Sequence, residues 1–505
     1  MSVLQLIYDG YLNVLTPTGI LLLLAGVGLG IVFGAIPGLT PSMAVVLFIP
    51  VTYTMSPING MTMLMALYVG GVSGGLIASI LLRIPGTPAA VATCFDGYPL
   101  TQKGHAPKAM GVGIVFSFIG TFLSVIAMMF IAPSLARFAI RFGYYEYFCI
   151  ALFSLTMIAS LSGNNLKKGV FAGTLGFVFA TVGVAPIDGA LRFTYGSHEL
   201  MSGFDMLPVM IGLFAVGELI NAARTPPDSD AAVILRPDMS KVKGFGFSWE
   251  EFKSQQWNMI RSAAIGIGIG ILPGIGGGTA NLLAYSVAKN QSKYPEKFGT
   301  GVIDGVVASE TSNNACIGGA MIPLLTLGIP GDAVTALLLG GFMIHGIVPG
   351  PRLFVEHADL VYAIFAATAL ASVVMLFMEF YGLRIFVRLL AIPKTYLLPI
   401  IFSMCCVGAY GLNSRIFDIW SVVLFGFLGF GFSVFTIPVA PFIIGFILGP
   451  MTEANLRRGL MLSKNSLQPM LSSPICLFFL TITAISLGYT MYKYYRSAKK
   501  NAAKA

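Results

Sequence analysis

The chain has 505 residues, of which 56% are hydrophobic and only 10% charged, with a mean hydropathy of +0.84; a soluble domain carries about 25% charged residues, so a water-soluble globule is excluded and the chain reads as an integral membrane protein. The net charge of +9 does not point to nucleic acid, because the basic residues are scattered through short loops and gathered in the tail KYYRSAKKNAAKA. There is no GxxxxGK(S/T) and no HExxH, hence no P-loop for ATP and no zinc-protease helix, and energy must come from an ion gradient or from a partner.

Apolar stretches of roughly 18 to 25 residues recur along the chain, among them Pro17–Phe33, Ala109–Ile131, Gly169–Val184, Ala363–Phe380 and Leu471–Leu487. They predict about twelve membrane spans. No Lys or Arg precedes Arg83, so the N-terminus is expected to stay in the membrane domain rather than to be cleaved as a secretory signal. Residues 34–41, GAIPGLTP, interrupt one apolar run with a proline that lacks the helix N–H and glycines that loosen what remains. The segment RIPGTPAAVATCF, Arg83–Phe95, is too interrupted for a full span and reads as a re-entrant hairpin with Thr87 at its tip. Arg83 is either a partner for a substrate carboxylate or, more ordinarily, an interfacial arginine whose head snorkels to water. In APIDGALRFTYG, Asp188 and Arg192 are expected to pair across one helical turn.

The longest polar interval, Thr225–Trp257, divides the chain into a first membrane repeat (1–224), a linker (225–257), a second repeat (258–492) and a basic tail (493–505). The tail is expected on the cytoplasmic side, with Tyr489, Tyr492, Tyr494 and Tyr495 at the interface before it. Inverted repeats of odd span number place the linker opposite both termini, whereas its basic residues place it with the tail, and its side stays open at this stage. Beyond the linker, residues 270–278 read GILPGIGGG, a second Pro-Gly interruption, and GIPGDAVTALLLGGFMIHG, Gly328–Gly346, reads as a second re-entrant hairpin. At its tip Asp332 is read first as an N-cap. Glu310, in ASETSNNACIGG, is either an intramembrane proton carrier or cation ligand or a solvated acid in the loop that contains Lys297.

The interruptions form a pattern. Shifted by 236 positions, Gly26, Gly30, Gly34, Pro37 and Gly38 fall on Ser262, Gly266, Gly270, Pro273 and Gly274; shifted by 245, Ser73–Gly86 falls on Gly318–Gly331. The nine-residue difference matches the polar insert NQSKYPEKF, Asn290–Phe298. Close helix packing explains spaced glycines but not ordered Pro-Gly breaks, so an internal duplication is expected. Paired interruptions in two repeats are the sequence pointer to the midplane site of a secondary transporter. Helix starts after each break offer N–H groups to an anion, which nominates Pro37, Gly38, Thr40, Ser42, Thr87, Pro273, Gly274, Gly276, Gly277, Thr279 and Asn281 for substrate. Asn313, Asn314 and Glu310 are nominated for a coupling cation, with freed carbonyls beside them.

Rival chemistry is weaker. GVSGG, Gly71–Gly75, fits GxSxG and with His345 invites an intramembrane serine hydrolase, but the motif needs a strand-turn-helix context, and Gly318 stands where Ser73 stands in the other half. No catalytic residue is assigned; His345 is expected to be hydrogen-bonded near a re-entrant loop. A passive anion channel fits a repeated, occluded site less well than alternating access does. Cys94, Cys149, Cys316, Cys405, Cys406 and Cys476 lack metal-ligand spacing and read as small buried hydrophobes.

The segments GAIPGLTPSMA, LLRIPGTPAAVATCFDGYPLTQKGHAPKA, IDGALRFTYG, GILPGIGGGTAN, YPEKFGTGVIDGVVASETSNNACIGGAMIPLLTLGIPGDAVTALLLGGFMIHGIVPGP and GFILGPMTEANLRR together resemble the large membrane subunit of the tripartite tricarboxylate transporters, the TctA family. The resemblance implies an all-α polytopic, elevator-like fold of two inverted repeats with broken helices and re-entrant hairpins. It implies a multi-pass protein of the bacterial cell inner membrane that imports citrate-like tricarboxylates or related carboxylates by symport with Na⁺ or H⁺, without another cofactor. The implied partners are a small membrane subunit of about four helices and a periplasmic solute-binding protein; the bilayer is its medium and nucleic acid has no part.

Overall fold

Proline opens the early helices: Pro17, Pro41 and Pro57 each sit at a first helical position, where the missing N–H is not needed, and Thr16, Thr40 and Ser56 cap them by accepting from Gly19, Met43 and Asn59. In a computed structural model of the chain, residues 3–161, 166–224, 244–389 and 394–502 are described; most of the polar linker and the last residues of the tail lie outside them. The principal helices are α1 (Val3–Val14), α2 (Pro17–Ala35), α3 (Pro41–Thr52), α4 (Pro57–Leu82), α5 (Thr93–Gln102), α6 (Ala106–Ala139), α7 (Tyr144–Leu161), α8 (Leu166–Ala180) and α9 (Met206–Arg224). After the linker come α10 (Gln256–Ile271), α11 (Gly276–Gln291), α12 (Ile303–Leu327), α13 (Ala333–Ile344), α14 (Ala358–Leu389), α15 (Lys394–Asn413), α16 (Ile416–Val434), α17 (Val439–Leu462) and α18 (Pro474–Ala502).

Among the described residues, seven helices (α2, α4, α6, α9, α14, α16 and α17) are long and apolar enough to cross a membrane, and shorter apolar helices accompany them. Beside these seven, α7, α15 and α18 have 18, 20 and 29 residues, and the remaining apolar runs toward the expected twelve are partial spans. A 12-residue helix such as α3 reaches only about 18 Å.

The Pro-Gly interruptions are tips of helical hairpins, not through-going breaks. Gly26 and Gly34 of α2 lie against Met63–Ala66 and Gly71 of α4, so these two run parallel, whereas Pro41 lies on Gly71 and Thr52 on Gly60, so α3 turns back. In the second half α10 runs parallel to α12, with Gly266 on Ser312 and Gly270 on Cys316, and α11 returns with Gly277 on Asn313. The close approaches recur at the sequence offsets. A methyl on Gly34 would lie 2.1 Å from the Gly71 carbonyl oxygen and one on Gly270 2.7 Å from that of Cys316; methyls on Gly86 and Gly331 would each lie 2.4 Å from the carbonyl oxygens of Gly34 and Gly270. Helix backbones this close tolerate hydrogen alone at the crossing.

Gly60 at the start of α4 touches His345 at the end of α13, while Tyr285 near the end of α11 bonds Asp96 in α5. The two hairpins therefore enter from opposite faces. One face carries residues 52–57, 140–144 and 345–357; the other carries 83–105, 292–302 and the described end of the linker, where Phe245 covers Gly111 and Lys108 pairs with Glu251. α18 starts on the first face, with Phe479 against Phe153 and Cys476 beside Cys149, and as a 29-residue helix spans about 43 Å. Along the way Leu487 lies beside Thr156 and Val170, so α18 runs toward the linker face. A helix of that length works as an added span beyond the repeat, and linker and tail then share a face although the first half starts on the other.

Asp188 and Arg192 do not pair with each other. The segment is a short antiparallel pair, β1 (Gly183–Val184) with β2 (Leu191–Arg192), and each charge reaches α17 instead: Arg192 grips Glu453 at 2.7 and 2.8 Å, and Arg457 meets Asp188 at 2.5 Å. The hydrogen bond from Arg457 holds the Asp188 carboxyl below its usual range. The six cysteines are free, and five are buried.

Candidate functional site

The first tip, Ile36–Leu39, turns at Gly38 with φ +94°, which glycine adopts without strain. Its polar groups are consumed locally: the Thr40 hydroxyl accepts from the Met43 N–H at 3.1 Å. The second tip, Leu272–Ile275, turns at Gly274 with φ +76°, and Gly276, 236 positions after Thr40, has φ +70° and no hydroxyl. No side chain caps α11, so its first N–H groups keep no intrahelical or side-chain partner.

The same asymmetry holds where a re-entrant segment meets each tip. Behind α4 the chain dips back so that Gly86 touches Gly34 and Pro88–Ala89 touch Gly277 and Gly278; behind α12 Gly331 touches Gly270. Asp332 sits one position past that contact. Its side chain accepts from the Thr335 N–H at 2.7 Å, Thr335 Oγ1 accepts from the Asp332 N–H at 2.8 Å, and the Tyr68 hydroxyl donates to the other carboxylate oxygen of Asp332. Asp332 is thus an N-cap and a clasp. The positions 245 earlier and later than this pair are Thr87 and Asn313. There nothing is satisfied: Thr87 Oγ1 and both amide atoms of Asn313 have no hydrogen-bond partner, although Thr87 is 2% and Asn313 1% exposed. A buried polar atom without a protein partner costs about 1–3 kcal/mol, so each such group calls for an explanation, and a bound ligand, ion or water is one.

Around Thr87 and Asn313 the other nominated residues divide. Gly277 faces Asn313, a methyl on it lying 2.7 Å from Asn313 Oδ1, whereas Gly276 faces Asp332, with 3.2 Å to its Cβ. Pro273 and Gly274 shape the tip that precedes them. Pro37, Gly38 and Ser42 belong to the opposite tip, where Ser42 is buried and Gly38 exposed. Asn281 is not free for substrate: its Oδ1 accepts from Ala92 N at 2.8 Å and its Nδ2 donates to the Ser309 carbonyl at 3.3 Å. Thr279 points outward with exposed Leu282 and Leu283, because residues three and four apart share a helix face. His345 caps the end of α13 with Nε2 unbonded, not hydrogen-bonded as expected.

Glu310 is not in the loop of Lys297. It lies inside α12, fully buried, and accepts from the Thr93 hydroxyl, from Ser117 Oγ at 3.0 Å and from Asn314 Nδ2 at 3.4 Å. Asn314 keeps Oδ1 unbonded. A second buried acid, Glu379 of α14, escaped the sequence reading although it interrupts the apolar run VVMLFMEFYG; Ser73 Oγ donates to its Oε2 at 2.6 Å and its Oε1 has no partner. Tyr68 was also missed, since a tyrosine in an apolar helix carries no local signal. Among the described residues no three His, Cys, Asp or Glu side chains cluster to hold a metal ion.

The site thus offers hydrogen-bond donors (α11 N–H groups, the Asn313 amide, the Thr87 hydroxyl) to an anion, and amide oxygens and two buried carboxyl groups to a cation or proton. The family model described as "Tripartite tricarboxylate transporter TctA family" matches residues 20–444. A protein of Agrobacterium vitis, "Uncharacterized 52.8 kDa protein in TAR-I ttuC' 3'region", is 33% identical over 473 residues, 94% of this chain and 93% of its own length. A second from the same organism, "Uncharacterized protein in TAR-II ttuC' 3'region", is 36% identical over 207 residues, 41% of this chain and 86% of its own length. No solved structure matches the chain.

Proposed function

Because this chain belongs to the tripartite tricarboxylate transporter TctA family, we propose that it is the large membrane permease of a binding-protein-dependent secondary transporter that imports a citrate-like tricarboxylate or a related carboxylate by cation symport. The observation that carries this reading is the unsatisfied pair Thr87 and Asn313 beside the uncapped start of α11. One substrate carboxylate accepts from the Gly277 and Gly278 N–H groups at the positive end of the helix, and the Asn313 amide and Thr87 hydroxyl complete its shell. Asn313 and Asn314 oxygens suit Na⁺; Glu310 and Glu379 suit a proton. Alternating access follows from hairpins that enter from opposite faces, and the elevator reading has the two hairpins and α12 slide as a unit against α8, α9, α16 and α17.

The linker face carries Arg83, Lys103, Lys108, Lys253, Lys289, Lys293 and Lys297, which supports a cytoplasmic assignment in a bacterial inner membrane. A periplasmic solute-binding protein then delivers substrate to the opposite face, and a small membrane subunit completes the complex. The test is uptake of labelled citrate into proteoliposomes that hold all three proteins, under a Na⁺ gradient and separately under a pH gradient. Gradient-driven accumulation that stops without the binding protein is expected. Equilibration alone, with no accumulation under either gradient, would make the chain a passive channel.

A further inference from the structure

On the linker face a cavity of about 540 Å³ opens beside the first re-entrant segment, with Arg83, Val91, Phe95, Tyr285, Lys289 and Phe298 among its walls. No carboxylate lines it, and among the described residues neither Arg83 nor Lys289 forms an ion pair. Two exposed cations without counter-ions share one concave surface. Its walls are stiff: Tyr285 packs edge-on against Phe95 and Phe298, with centroids 5.3 and 5.5 Å apart, and its hydroxyl donates to Asp96 at 2.9 Å. Arg83 sits 5.9 Å from the Tyr98 ring centroid, so its head stays beside the protein surface.

The backbone at Arg83 adds an independent observation. Arg83 ends α4 in the left-handed region, φ +59°, where a non-glycine residue is strained. The position 245 later is Gly328, at φ +70°, the residue that this geometry favours. One half keeps an arginine at a place where the other has the unstrained choice. The wall that carries Val91 and Cys94 continues directly from Thr87, so the cavity lies on the far side of the same dip that lines the midplane site.

We propose that this cavity is a second anion site, built for a soluble ion with two or more carboxylates, which receives substrate between the midplane and the linker face through Arg83 and Lys289. Its preference for a multivalent anion stands on the paired cations alone; the identification of that anion as the transported carboxylate rests on the function proposed above. Because both cations are exposed, the attraction weakens with salt. A monocarboxylate engages one cation and a tricarboxylate both.

Equilibrium dialysis of labelled citrate tests this, with the full chain in neutral-lipid nanodiscs at low and raised ionic strength, and with acetate, succinate and inorganic phosphate as competitors. Wild type should bind citrate at two sites. R83Q/K289Q should lose one of them, weakened roughly tenfold or more, the size of a lost charged hydrogen bond, while R83K/K289R should retain it; Lys289→Gln alone, on an exposed helix surface, should weaken it without touching the α4 terminus. Succinate should compete and acetate should not. Unchanged stoichiometry and affinity in R83Q/K289Q and in Lys289→Gln would overturn the proposal, as would the absence of citrate or succinate binding to wild type. Displacement of citrate from this site by phosphatidylglycerol included in the discs would overturn it too, since the cavity would then be a lipid-headgroup site. Asn313→Ala should remove the other citrate site; if it removes neither while R83Q/K289Q removes one, the cavity stands and the midplane reading falls.

Discussion

Asn281 and Asn313 are buried alike, at 0% and 1% exposure, and differ in what meets their amides. Asn281 joins α11 to the backbone at Ala92 and Ser309, so Asn281→Ala strands a buried N–H and should lower stability by about 1–3 kcal/mol, read as an earlier thermal transition of the detergent-solubilised protein. Asn313 joins nothing. Asn313→Ala and Thr87→Val should therefore leave that transition within about 1 kcal/mol of wild type, and raise the KM for carboxylate uptake roughly tenfold to a hundredfold, the value of a hydrogen bond to a charged ligand. A large loss of stability in either variant, with KM unchanged in the fraction that folds, would make them structural instead. Sequence could nominate all three residues, as polar side chains in apolar surroundings, but could not sort them. The partner of Asn281 lies 189 positions away, and whether a buried amide is occupied depends on where distant segments return.

At the scale of the helix, the two tips owe their position to crossings where nothing larger than hydrogen fits. Gly34→Ala or Gly270→Ala places a methyl 2.1 or 2.7 Å from a carbonyl oxygen of the neighbouring helix, and should cost about 1–3 kcal/mol or more, as overpacking does. Gly268→Ala, with nothing within 4 Å, should be tolerated; its helix propensity favours alanine. Chymotrypsin-accessible fraction or thermal shift in detergent distinguishes the three variants, and equal behaviour would contradict the packing. These interruptions were legible in sequence because they are local and written twice. Their reversal of chain direction was not, since Pro-Gly suits a turn as well as a through-going break. Nor was the pairing of Arg192 with Glu453, which a helical reading of residues 188–192 had replaced by a neighbour.

Across the whole molecule, topology makes a claim that labelling can check. Single cysteines at Lys293 and at the end of α18 should react with an impermeant maleimide from one side of the membrane, and one at Ser466 from the other, in a background freed of the six native thiols. Opposite labelling of Lys293 and the α18 end would contradict the added-span account of the shared face. The halves are also bound by Asp96, whose Oδ1 accepts from the Gly299, Gly301 and Val302 N–H groups at 2.8–3.0 Å while Tyr285 serves its Oδ2. Every one of those donors is synthesised later, Gly299 by 203 positions, which at about 5–20 residues per second is roughly 10–40 s of translation. For that interval a carboxylate destined for complete burial waits in an unfinished chain, and it must be sheltered by the insertion machinery or by water at the membrane surface. Biogenesis thus has a checkpoint just past the middle of the gene: a transcript truncated before Tyr285 leaves Asp96 with none of these donors, a substrate for membrane proteolysis and not a half-sized transporter.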